Sequence, residues 1–338
     1  MAGQADDHDE AALEPDLPIV DPHHHLWRDN QALAAYALDY MAPDLAADAA
    51  GHNVVATVYL ECHQGYRTEG PQALRPVGET QFAVAAGGRY GQTEVCAGVV
   101  SYADLMLGEA VGEVLDAHIE AGCGRLRGVR NMLTCCDDPA VPAAYLAAPP
   151  GRLLEPAMRA GGQALARRGL TFDTWIFQPQ LGELAAFADA VPDLTIVLDH
   201  VGGYMAIGGF AERPQETFAA WRTALVDLAR RPNVVMKVGG MGMGMISPAF
   251  AAAEEKPSSA EMAEAWKPLF ETCVELFGAE RCMLESNFPV DRPAGSYRRF
   301  WNAFKRLAAG ASANEKTALF SGTANRVYSL GLDLSGGA

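Results

Sequence analysis

From Pro18 onward, short runs rich in β-branched and other apolar residues alternate with amphipathic segments of roughly ten to twenty residues, the pattern of βα units laid around a parallel sheet. The periodicity predicts eight strands, at 18–25 (PIVDPHHH), 54–60 (VVATVYL), 94–101 (EVCAGVVS), 125–131 (RLRGVRN), 170–177 (LTFDTWIF), 194–200 (LTIVLDH), 233–239 (NVVMKVG) and 281–287 (RCMLESN). Helical patterns lie between them at 43–51, 77–90, 109–121, 152–168, 180–190, 214–230 and 261–277, and two more follow at 297–309 and 313–329. This alternation points to the α/β class and a (β/α)8 TIM-type barrel, with room for distortion, carried by a single domain over 17–331. An open doubly wound sheet would alternate in the same way, but the first strand lacks the Gly-rich turn that cradles a nucleotide. Residues 1–16 are acidic and poor in large apolar groups, so they are expected to form a flexible tail, and 332–338 a short C-terminal one.

Four connections are longer than a tight loop, at 61–76, 132–151, 201–213 and 239–260, and each follows a strand. Loops after strands build the catalytic mouth of a barrel, so insertions there shape or cover a pocket. The segment 239–260 is rich in Gly and Met, which suits either contact with an apolar ligand or a surface linker.

Charge narrows the function. The 338 residues carry 26 Lys and Arg against 42 Asp and Glu, a formal charge of −16, the wrong sign for a phosphate-backbone binder. Nucleic acid is therefore excluded as an expected partner, and a small molecule is favoured. No apolar run approaches the roughly 20 residues of a membrane span, and the acidic N-terminus does not resemble a secretory signal, so a cytoplasmic protein is expected. Seven cysteines without CxxC spacing fit reduced thiols.

The strongest local signal is Asp21-Pro22-His23-His24-His25-Leu26-Trp27 at the end of the first strand. Strand side chains alternate faces, so His23 and His25 share the interior side, about 7 Å apart along the backbone, while His24 points away. Such a pair can converge on one metal ion or one substrate. His200 ends the sixth strand and faces the same mouth. Glu61, at the top of the second strand, is either a working carboxylate or an ion-pair partner of Arg67 or a neighbouring strand. Glu285 and Asn287 share a face of the last strand. Arg127 and Arg130 on the fourth strand and Lys237 on the seventh suggest a local cationic pocket for a carboxylate-bearing or oxyanion-forming substrate, with internal ion pairs as the alternative. Trp27 and Gln178 complete the residues expected to touch substrate.

Taken in order, DPHHHLW, RGVRNM, FDTWIFQPQL, IVLDHVGG and CMLESNFPVD resemble the amidohydrolase-related proteins, in particular the lactonase branch that includes 2-pyrone-4,6-dicarboxylate lactonase, L-fuconolactonase and 4-sulfomuconolactone hydrolase. The resemblance implies a distorted (β/α)8 barrel that opens a cyclic ester with an activated water. It maps the family's metal-binding histidines onto His23, His25 and His200, with Zn²⁺ the expected divalent ion and a metal-free mechanism the alternative. Members commonly carry Ser-Asp-aromatic-Pro on the eighth strand, where this chain has Ser286-Asn287-Phe288-Pro289. An amide does not accept a proton at neutral pH, so Glu285 or Glu61 is expected to act as the base. A metal-dependent decarboxylase and an inactive ligand-binding barrel are the competing functions. Apolar surface on the terminal helices could bury a homo-oligomer contact or cover the barrel.

Overall fold

The computed structural model describes residues 10–334. Nine strands form one sheet: β1 (Pro18–His24), β2 (Asn53–Leu60), β3 (Gly88–Tyr90), β4 (Thr93–Ser101), β5 (Leu126–Met132), β6 (Thr171–Trp175), β7 (Ile196–Leu198), β8 (Val234–Val238) and β9 (Cys282–Leu284). Eight of them pair parallel in chain order, while β3 forms an antiparallel hairpin on β4. The hairpin takes the end of the segment predicted as helix 77–90, because the helix stops at Ala86 before two glycines.

The barrel closes through the segment beyond β9. His25 N donates to the Phe288 carbonyl (2.8 Å) and Asn287 N donates to the His23 carbonyl (2.9 Å). Asp21 reinforces the seam: one oxygen accepts from Ser286 N (3.1 Å) and the other from the Ser286 hydroxyl (2.6 Å) and the Tyr297 hydroxyl (3.0 Å). Strands β7 and β9 are shorter than predicted, three residues each. Their polar continuations, Asp199-His200 and Glu285-Ser286-Asn287, leave the ladder and turn into the mouth.

Two apolar regions hold the fold. The larger lies between sheet and helices and includes Trp221, Trp266, Trp301 and Phe172. The smaller fills the barrel floor with Val20, Val58, Leu60, Val100, Val197, Val235 and Met283, closed from below by Ala324 and Tyr328 of the C-terminal segment. The predicted helix 313–329 is interrupted by a wider turn at Ala318–Gly322, which lies against β1 and β9. The Met-rich segment does not run along the surface: Met241, Met243, Met245 and Ile246 are buried.

Of the expected acidic tail, residues 1–9 lie outside the described residues. Residues 10–14 are tied down: Glu10 accepts from Ser259 N (2.8 Å), Leu13 N donates to Asn302 (2.8 Å), and Lys305 donates to the carbonyls of Leu13 (2.7 Å) and Glu14 (2.9 Å). At the other end Asn325 and Leu332 exchange two hydrogen bonds, and 335–338 lie outside the described residues. Among the described residues no helix is long and apolar enough to cross a membrane.

Candidate active site

His23 of β1, His25 just beyond it, His200 after β7 and Glu285 after β9 meet at the C-terminal end of the barrel. The ring centroids of His23 lie 4.9 Å from those of His25 and 4.7 Å from those of His200. His25 Nδ1 donates to the Leu60 carbonyl (2.9 Å), which leaves its Nε2 as a lone pair facing His23 Nε2 at 3.2 Å. His200 Nδ1 lies 2.7 Å from Glu285 Oε1, and no group among the described residues hydrogen-bonds its Nε2. Glu285 Oε2 stands 2.7 Å from His23 Nδ1, yet it is buried without an aligned donor. A single proton fits between the facing Nε2 atoms of His23 and His25, and in this arrangement it resides on His23, because the His25 proton is committed to Leu60.

The protonation tendencies follow. Burial, together with Lys237, holds His23 far below the usual imidazole range, and burial with Arg130 does the same for His25. Burial also opposes the charged form of His200, but the Glu285 carboxylate outweighs it and raises His200. Burial alone would raise Glu285, whereas the His200 and His23 rings bring it down to about 2. A carboxylate held so low is a weak proton acceptor at neutral pH.

Beneath the imidazoles lies a buried layer of charge. Lys237 Nζ donates to Asp173 (2.9 Å), approaches Asp199 (3.2 Å) and sits 3.2 Å from His23 Nδ1. Arg130 grips Glu61 through Nε to Oε1 (2.8 Å) and through Nη2 to the Glu61 carbonyl, with Nη1 3.4 Å from His23 Nε2. The expected cationic pocket is therefore not open: Lys237 and Arg130 are both taken up by carboxylates of neighbouring strands. Glu61 is the ion-pair partner of Arg130 across the sheet, and its second oxygen is 3.9 Å from the exposed His63.

The remaining predicted substrate contacts fall elsewhere. Arg127 is at the opposite end of β5, donating to the carbonyls of Gly124 (2.7 Å) and Leu126 (3.0 Å). The Trp27 indole donates to the Ala37 carbonyl (2.9 Å) and is fully buried, so it secures the loop after β1. Gln178 spends its amide oxygen on Met205 N (3.2 Å). Asn287 does reach the mouth, where its amide nitrogen donates to Asp291 (2.8 Å).

Three residues of the site were missed in the sequence. Asp199 directly precedes His200 in LTIVLDH, and an acidic residue at a strand end was the available signal. Asp291 lies one turn beyond Asn287. Trp175, in FDTWIF, meets the His200 ring edge-on at 5.6 Å with its indole N–H buried and unpartnered.

The imidazoles are nearly sealed, with His25 4% and His200 2% exposed. A cavity of about 400 Å³ opens between the loops after β5, β6 and β7, with Cys135, Gln180, Glu183 and Phe210 in its walls, but none of the three histidines lines it.

A family profile for amidohydrolases matches residues 20–330, nearly the whole chain. The chain belongs to the amidohydrolase family. This amidohydrolase is 32% identical over 329 residues to the protein y4mH of Sinorhizobium fredii, covering 93% of this chain and 99% of that one. It is 29% identical to an L-fucono-1,5-lactonase of Burkholderia multivorans, covering 92% and 96%. A crystal structure of a Burkholderia multivorans amidohydrolase shares its fold at a TM-score of 0.70 and 24% identity, covering 92% and 99% of the two chains. A zinc-bound crystal of a Burkholderia multivorans amidohydrolase superimposes at 0.69, with 23% identity and the same coverage. Family and relatives make the chain a hydrolase.

The donor set of this amidohydrolase fits a divalent cation. His23, His200 and Glu285 bring ligand atoms within 4.8 Å of one another. The buried carboxylates of the site (Glu61, Asp173, Asp199, Glu285 and Asp291) outnumber its two buried cations, Lys237 and Arg130. Both oxygens of Asp199 and Glu285 Oε2 lack aligned donors. If a cation took the place of the proton between His23 and His25, His23 would carry its proton on Nδ1, where Glu285 Oε2 stands ready to accept it.

Proposed function

We propose that this amidohydrolase hydrolyses a neutral lactone, and that Nε2 of His23, His25 and His200 holds a divalent ion, zinc, at the reacting centre. The observation that carries this reading is Glu285: one oxygen accepts from His200 Nδ1 at 2.7 Å and the other, unpartnered, lies 2.7 Å from His23 Nδ1, so that with both Nδ1 protons held there the two Nε2 atoms would be available to a cation. Bound there, zinc supplies Lewis acidity, polarising an ester carbonyl and bringing the pKa of water toward about 7.

The chain's own residues do the rest. Glu285 orients two imidazoles and, at about 2, does not compete for the reaction proton. The Leu60 carbonyl fixes the His25 tautomer. Asp291, buried beside Asn287, is pushed up to about 7 chiefly by burial and accepts from the Asn287 amide and from Gly242 N. Arg130 and Lys237 hold Glu61, Asp173 and Asp199 in place. With both cations so engaged and the buried carboxylates Glu285 and Asp291 beside the imidazoles, a carboxylate-bearing substrate is disfavoured. An uncharged cyclic ester suits the site, in keeping with the L-fucono-1,5-lactonase relative.

The test is a panel of neutral and carboxylated lactones assayed with protein of measured zinc content. The expected result is about one zinc per chain, zinc-dependent ring opening and a preference for the neutral substrates. Release of CO₂ from aromatic acids without lactone turnover would assign a decarboxylase instead, and tight ligand binding without turnover an inactive barrel.

A further inference from the structure

Asn287 stands where the eighth strand of a barrel delivers side chains to the mouth. Its backbone has φ of +52°, a left-handed conformation that asparagine tolerates better than most residues, and its N–H is held by the His23 carbonyl at 2.9 Å. The main chain is thus fixed beside the imidazole cluster.

The side chain is fixed as well. Asn287 Nδ2 donates to Asp291 Oδ1 (2.8 Å), and the other oxygen of Asp291 accepts from Gly242 N (2.9 Å). Asp291 is fully buried and, when ionised, only accepts. While Asp291 is ionised the amide has one orientation, because a flip would set its oxygen against a carboxylate oxygen. Asn287 Oδ1 is turned away from Asp291 and accepts no hydrogen bond among the described residues, although the residue is only 1% exposed. With its nitrogen spent on Asp291, that oxygen is left to accept from a group outside the polypeptide. Gly242 belongs to the segment that packs on His200: a side chain at Gly240 would stand 2.3 Å from His200 Nδ1. The Asn287–Asp291 pair accordingly borders the His200 side of the cluster.

We propose that Asn287 Oδ1 accepts a hydrogen bond from the attacking water, and that Asp291 is the positioning residue that locks the amide in that orientation. The inference rests on the hydrolytic reading above. It divides between two residues what one carboxylate would otherwise do: the amide aims the water without taking its proton, and the carboxylate behind it removes the amide's rotational choice. Asparagine at this position is then a working substitution within the hydrolytic centre.

The experiment compares Asp291→Asn, the exchanged pair Asn287→Asp with Asp291→Asn, and Asn287→Leu on the lactone the wild-type protein hydrolyses. Zinc content and thermal midpoint are measured for each. Asp291→Asn allows both amides to rotate, and kcat per zinc-loaded folded protein should fall about 10- to 100-fold with KM within about twofold. The exchanged pair restores an acceptor at position 287 and a donor at 291, and it should recover about tenfold of that loss. Asn287→Leu, which removes the acceptor in a side chain of similar size, should match or exceed the loss in Asp291→Asn. A merely structural pair would lower the thermal midpoint and leave kcat per folded molecule intact. Unchanged kcat in Asp291→Asn overturns the proposal; should that variant not fold, unchanged kcat in Asn287→Leu does the same. If the wild-type protein opens no lactone, the hydrolytic reading falls and takes this inference with it, whereas wild-type turnover with unaffected variants overturns the inference alone.

Discussion

Glu285 Oε2 lies 2.7 Å from His23 Nδ1 without an aligned hydrogen bond between them, while its partner oxygen is engaged by His200. Carboxylates that orient metal-binding imidazoles are worth about 10- to 100-fold in metal affinity. Glu285→Gln should weaken zinc binding by that factor in competition with a chelator. Because this residue orients ligands, excess zinc should restore much of the kcat, which it would not do for a lost general base.

Zinc should also stabilise the fold. A ligand that binds only the native state at 100 times its dissociation constant adds about 2.7 kcal/mol. Removing it by dialysis against a chelator should lower the thermal midpoint reversibly, and calorimetry with and without added zinc checks this.

Lys237 reaches both Asp173 and Asp199 from β8, with every member of the trio fully buried. Breaking a buried pair from one side costs about 3–5 kcal/mol. Lys237→Met should destabilise the protein by that order in denaturant unfolding, and a further Asp173→Asn change should recover part of the loss by removing the stranded charge.

Asp291 sets a stability slope. Its carboxyl titrates at about 7 in the folded protein, raised mainly by burial, against about 3.9 in an unfolded chain. Between those values the native state binds the extra proton, so this group's contribution falls as pH rises from 4 to 7, by about 1.4 kcal/mol per pH unit for one proton. Glu285 slopes the opposite way and only in acid, losing its contribution as pH falls from about 4.3 toward 2. Denaturant midpoints at pH 5 and 7 should differ less in Asp291→Asn than in the parent.

Arg127 and Trp27 provide a contrast to the site. Arg127→Ala should leave kcat and KM within about twofold, since its guanidinium bonds to carbonyls at the far end of β5. Trp27→Phe should cost about 1 kcal/mol of stability through the lost bond to Ala37 and leave zinc affinity unchanged.

What could be read from the sequence was whatever has a short period. The alternation of apolar runs and amphipathic segments marked all eight barrel strands, and the two-residue repeat of strands put His23 and His25 on one face. Side-chain pairing between strands carries no such period. Nothing near Arg130 reveals that Glu61 will occupy it, or that Asp173 and Asp199 will enclose Lys237, so both cations read as substrate anchors. The seam that closes the barrel was hidden for a related reason: it runs through Asn287 and Phe288, beyond the last ladder residues, where the strand pattern has already ended. Glu285 reads equally well as a base or as a support until the distances to two imidazoles are known.

Tyr328 rises into the barrel floor and donates a hydrogen bond from its hydroxyl to Asp173, which in turn steadies Lys237 against His23. The first strand leaves the ribosome long before that tyrosine is translated. A chain that has not yet reached this segment can therefore display HxH without the floor that supports it. Truncation just before Tyr328 should disarm the enzyme from underneath while leaving every residue of the mouth in the polypeptide.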